Sequence, residues 1–203
     1  MLLFLAGSFA PGPAPAIEAP TPEWGSYLAE NRARVLAGAV LTVTAVPLLL
    51  AVLADVTQRR MATSPIGGLV ALSAWVFAFG FLIISTALTA AVVWRGPEHL
   101  DPSTVRFAVD AAHLSLWGLS AGPAAVAVTA TTAAAWRQGL APRWLVTLAI
   151  FKVLTCAVEV AGVGATAGWN AGGYASLSSG VALVGWLVGI VWVAARGDVE
   201  AVP

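Results

Sequence analysis

The chain has 203 residues, 59% apolar and 10% charged, with ten basic residues balanced by ten acidic ones. A soluble domain carries about 25% charged residues, so this chain could not cover a water-facing surface; an ordinary globule, a disordered chain and a nucleic-acid binder, which needs a basic excess, are excluded. One cysteine, Cys156, excludes a disulfide framework, a CxxC redox pair and a thiolate metal cluster.

What remains is a polytopic membrane bundle of α-helices, in keeping with a mean hydropathy of +0.87. A span needs about 20 mainly apolar residues to cross a ~30 Å hydrocarbon core, and no stretch shows the apolar/polar alternation of an outer-membrane barrel. Residues 1–10 are apolar but reach only about 15 Å as a helix, half the core. They lack the basic n-region of a signal peptide. Two readings stay open for them: the outer end of a sixth helix that starts upstream of Met1, and a re-entrant piece packed against other helices. A Pro-rich segment and a lead-in helix fill 11–34. Full spans are expected at about Val35–Ala54, Ile66–Trp94, Val109–Trp136, Arg143–Gly168 and Tyr174–Ala195, with 196–203 as a tail. The whole reads as one integral membrane domain.

Arginines near the span ends set the orientation. Arg59, Arg60, Arg137, Arg143 and Arg196 fall on one side, and Arg32, Arg34, Arg95 and Arg106 on the other, among acids. This places the C-terminus in the cytoplasm and the Pro-rich segment outside the cell membrane. Trp94, Trp136, Trp144, Trp169 and Trp192 sit near span ends, as an interfacial aromatic belt requires.

The chain repeats itself weakly at an offset of 80 residues. Thr21-Pro22 and Asp101-Pro102 both resemble an N-cap followed by proline, and Tyr27, Glu30 and Gly38 fall on Phe107, Asp110 and Gly118. After a four-residue slip Pro47 falls on Pro123. Each unit would be a lead-in helix, a proline-interrupted inward span and a return span, a parallel duplication of a helical hairpin. A proline frees the carbonyl four residues before it, and Thr42, Thr44 and Ser120 are at hand to cover such carbonyls.

Ionisable groups inside spans are costly and are functional candidates by default. Lys152 and Glu159 are seven apart on the fourth span, so they share one face, about 10 Å apart along the axis. Lys152 could snorkel inward or meet Asp55. Glu159, near the bilayer middle, must be protonated or partnered, and His113 on the third span is the expected partner. Asp110 and His113 are three apart, an arrangement that orients an imidazole for acid–base work. Ser85, Thr86 and Thr89 on the second span and Ser176, Ser178 and Ser179 at the start of the fifth, with Trp117, Asn170 and Tyr174, would surround an outward-facing polar pocket. The plain structural alternative is that Arg106–Asp110 and Glu30–Arg34, each four apart, are helix-end salt bridges and that the histidine only packs. His99 and His113 form no metal motif, and no phosphate loop, nucleophile elbow or dinucleotide fingerprint occurs. Gly164-x-x-x-Gly168 and Gly185-x-x-x-Gly189 are small-residue packing patterns, for helices within the bundle or between protomers.

Gly7-Ser-Phe, Tyr27-Leu28-x-x-Asn31-Arg32 and Asp101-Pro102 with Asp110-x-x-His113 resemble a group of small multi-pass bacterial membrane proteins of unknown function. In that group the first helix is complete, whereas this chain starts inside it. The resemblance implies a six-helix bundle and brings no activity.

Two functions follow. One is a cofactor-free membrane enzyme for cyclisation or isomerisation of a lipophilic substrate. Glu159 and Asp110 would be acid and base, His113 the relay, and Trp75, Trp117, Trp186, Thr86, Asn170 and Lys152 the substrate contacts. Indole faces there could stabilise a developing cation. The other is a non-catalytic binding or accessory subunit of a transporter or membrane complex, partnered through its Gly-rich helix faces or as a homo-oligomer. Neither calls for a metal or cofactor.

Overall fold

The computed structural model describes residues 2–60, 65–161 and 174–199, with side chains for 2–57, 65–161 and 178–193. Among the described residues there is no strand. The helices are α1 (Leu2–Phe9), α2 (Thr21–Glu30), α3 (Arg32–Arg60), α4 (Pro65–Arg95), α5 (Pro102–His113), α6 (Ala121–Arg137), α7 (Arg143–Ala161) and α8 (Tyr174–Val199). A 3-10 turn, Pro97–His99, follows α4, and a π-helical turn, Leu114–Leu119, joins α5 to α6.

Four stretches among the described residues are long and apolar enough to cross a membrane: Arg32–Thr57, Pro65–Arg95, Pro102–Arg137 and Arg143–Ala161. Within α8 the apolar stretch Ser178–Val193 is shorter. Their outward faces carry large apolar side chains, such as Val40 at 66%, Leu69 at 67%, Phe77 at 64% and Val181 at 66% exposure. A water-soluble bundle would bury these and show charge instead. The molecule therefore fits a multi-pass integral membrane protein.

The chain folds largely by neighbour packing: α3 lies on α4, α4 on α6, α6 on α7 and α7 on α8, while α1 lies on α3. The α1–α3 crossing is backbone against backbone. A Cβ on Gly7 would stand 2.6 Å from Thr42 Oγ1, and one on Gly38 would stand 2.8 Å from the Gly7 carbonyl oxygen. Gly7 lies by Gly38 and Thr42, and Pro11 by Gly38, so α1 runs antiparallel to α3. At eight residues and ~1.5 Å each, α1 covers about 12 Å and cannot cross by itself.

The two lead-in helices start differently. Asp101 caps α5 as its sequence suggests, its carboxylate accepting from the Ser103 N–H at 3.0 Å and from the Ser103 hydroxyl. The hydroxyl and amide bonds hold this exposed carboxyl below its usual range. For α2 the expected Thr21 cap is not formed. Pro20 occupies that place without a side-chain bond, and Thr21 is already helical.

The join between α5 and α6 has a local cause. Ser120 N–H donates to the Ser115 carbonyl at 3.2 Å, five residues back. That widening strips the Leu116 carbonyl of its normal N–H, and the Ser120 hydroxyl donates to it instead. Pro123, three residues on, has no N–H to restore the regular ladder. Ser120 does cover a carbonyl, but it is the one the π turn releases, not the Leu119 carbonyl four residues before Pro123.

On α7 the buried residues Leu145, Ala149, Lys152, Cys156 and Glu159 recur at alternating steps of four and three, the spacing of a packed helical seam. Ser179, Ala182, Trp186, Ile190 and Val193 bury the facing side of α8. Gly185 and Gly189 are spent on this pair: a Cβ on Gly189 would lie 2.6 Å from the Trp144 ring and 2.7 Å from Leu145, and one on Gly185 would touch Leu148 at 3.7 Å. Gly164 and Gly168 lie outside the described residues.

Candidate functional site

The seam between α7 and α8 places two charges inside the protein. Lys152 is 5% exposed, Glu159 3% and Ser179 0%. Two turns separate Lys152 from Glu159, and the long lysine stem closes the gap, leaving Nζ 3.8 Å from Glu159 Oε2. Ser179 sits between them. Its hydroxyl accepts from Lys152 Nζ and donates to Glu159 Oε2 at 2.9 Å. Cys156, one turn along the same face, lies against Lys152 and Ser179, and the Thr155 hydroxyl returns to the Lys152 carbonyl at 2.8 Å. An isolated charge in such a place would cost several kcal/mol, and this cluster compensates both charges within the chain. Lys–Ser–Glu is also a continuous hydrogen-bonded line from a cation to a carboxylate, able in principle to pass a proton along it.

Lys152 and Ser179 thus stand where His113 was expected, and Lys152 turns to Ser179 and Glu159, not to Asp55. His113 Nδ1 lies 2.9 Å from the Val109 carbonyl. A carbonyl only accepts, so that nitrogen carries the hydrogen. The His113 ring meets Trp24 edge-on, with centroids 5.3 Å apart. Asp110 is taken by Arg106, at 2.8 Å from Nη2 and 2.9 Å from Nε, the i,i+4 salt bridge of the plain reading. Among the described residues no ion pair joins Glu30 to Arg34.

The deep tryptophans are core. Trp75 and Trp186 are 1% and 0% exposed and stack on each other with centroids 5.6 Å apart, and Phe79 stacks on Trp75 at 5.5 Å. Their N–H groups find acceptors on α6: Trp186 donates to Thr132 Oγ1 at 2.8 Å and Trp75 to Thr131 Oγ1 at 3.4 Å. Trp117 is half-buried in the π-helical turn. The Thr86 hydroxyl donates to the Leu82 carbonyl at 2.8 Å and Thr89 to that of Ser85 at 3.1 Å, each within α4. Asn170 and the Tyr174 side chain lie outside what is described. Among the described residues no group of histidine, cysteine or carboxylate side chains is placed to hold a metal ion.

Thr131 and Thr132 went unnoticed in the sequence. Two adjacent threonines in the middle of apolar α6 were the available signal, because buried indoles need acceptors. Ser179 reads from the sequence as a polar residue opening the fifth span, and only the α7–α8 register brings it to Glu159.

This much defines a class, an all-helical bundle of membrane type with an internally neutralised ion pair. No family model matches the chain, and neither a curated protein nor a solved structure does.

Proposed function

We propose that the protein is a multi-pass protein of the cell membrane that acts by binding, as an accessory subunit of a membrane complex, and not by chemistry of its own. The observation that carries this reading is the commitment of the candidate catalytic groups to contacts inside the chain. Glu159 and Lys152 hold each other through Ser179, Asp110 holds Arg106, and His113 holds the Val109 carbonyl. The expected aromatic walls, Trp75 and Trp186, are packed out of reach. Four spans, a fifth in α8 and the short α1 make up a single domain in this reading, with the C-terminus cytoplasmic. The sequence α2–α3–α4 followed by α5–α6–α7 suits a parallel duplication of the hairpin. Because Gly185 and Gly189 serve α7, a partner subunit or second copy would meet other faces.

The acid–base enzyme remains the second reading, favoured by one observation, the unbroken Lys152–Ser179–Glu159 line. The two separate in a strain lacking the gene, complemented with variants checked for folding. On the binding reading, His113→Ala should restore the phenotype. Loss with a folded His113→Ala protein would return the case to the enzyme acting on a lipophilic substrate.

A further inference from the structure

Residues 10–20 join α1 to α2, and Pro11, Pro13, Pro15 and Pro20 remove N–H donors there. Their turn bonds are Gly12 N–H to Phe9 and Ala19 N–H to Ala16. None of these residues is buried, so apolar burial contributes little to holding the segment down. Three side chains from α2 and α5 take its carbonyls instead. The Tyr27 hydroxyl donates to Pro11 at 3.1 Å, the Trp24 indole to Ala16 at 3.1 Å, and Arg106 Nη1 to Ala19 at 3.1 Å. Burial raises the Tyr27 phenol above its usual value, so it stays a donor at any ordinary pH. Asp110 grips the other edge of the Arg106 guanidinium and sets its direction.

An apolar layer distinct from the main core, with Trp24, Leu28, Val93, Val105 and Val109 in it, lies at this end of the bundle. His113 stands at its edge against Trp24. A segment attached by a few polar bonds opens at far lower free energy than the bundle unfolds.

We propose that residues 10–20 are a releasable strap that closes the Trp24–His113 layer, with Arg106 as its principal fastening. Ala19 packs against this layer and the Ala16 carbonyl holds the Trp24 indole, so release frees Trp24 and opens the edge of the layer beside His113. This goes beyond the binding role proposed above by assigning a gate.

The test uses the full chain in lipid nanodiscs with Cys156→Ala and a single reporter, Val105→Cys, at a site 3% exposed. Labelling by a charged maleimide should be slow in this parent and about tenfold faster when Arg106→Gln is added. Tyr27→Phe, which removes only the hydroxyl shared by the Pro11 and Gly12 carbonyls, should accelerate it less. If the Arg106 variant fails to fold, Tyr27→Phe and Asp110→Asn carry the test. Unchanged rates in the folded variants, or a parent that labels as fast as an exposed Glu18→Cys control, would overturn the strap.

Discussion

Glu159→Gln keeps the side chain's shape and removes its charge, leaving the buried Lys152 ammonium without the carboxylate 3.8 Å away. Two unit charges at that distance attract by about 4 kcal/mol at an effective dielectric near 20. Removing one partner of a buried pair costs about 3–5 kcal/mol, because the survivor stays buried and uncompensated. Lys152→Met should cost a similar amount by taking the ammonium away from the buried Glu159 carboxylate. The double variant Lys152→Met/Glu159→Gln leaves no charge to desolvate, and Ser179 can still bond the glutamine oxygen. It should lie within roughly 2 kcal/mol of the parent, giving a coupling of about 4 kcal/mol or more in the double-mutant cycle. Unfolding in mixed micelles, followed by tryptophan fluorescence, supplies the four free energies. A coupling below about 0.5 kcal/mol, or a double variant as unstable as the sum of the singles, would refute the claim that the two charges neutralise each other inside the seam.

Gly189→Ala places a methyl group into the Trp144 and Leu145 side chains and should destabilise by about 1–3 kcal/mol, read by the same unfolding assay. Gly180→Ala, where a Cβ meets nothing within 4 Å, is the matched control. Thr132→Val orphans the buried Trp186 N–H and should cost about 1–3 kcal/mol, with a shift in tryptophan emission. The Asp101 cap gives an acid limb. Its carboxyl lies below the ordinary value of 3.8, so the cap's contribution is complete above that pH and is lost as pH falls further. Asp101→Asn should flatten the limb in a helicity titration, and an unaltered limb would count against the cap.

Much of this was legible in the sequence because it follows from local rules. Apolar runs mark the spans, a seven-residue step puts Lys152 and Glu159 on one face, and Asp101-Pro102 opens α5. A four-residue step likewise announces Arg106–Asp110. What stayed hidden depends on register between helices. Ser179 reaches Glu159 only once α8 has docked on α7, and His113 looks like the partner because the axial rise alone puts Lys152 about 10 Å from Glu159. The π-helical turn arises from Ser115, Ser120 and Pro123 acting together, a combination with no simple periodic mark. The strap leaves no trace at all, since its acceptors are carbonyls, which every residue has.

The Lys152→Met/Glu159→Gln variant also tests the central claim, that the buried charges serve packing and not chemistry. Introduced into a strain lacking the gene, it removes both buried charges and the proton line between them while keeping the seam. The account predicts that this variant folds and restores the phenotype in full. A folded, membrane-inserted double variant that restores nothing would contradict it.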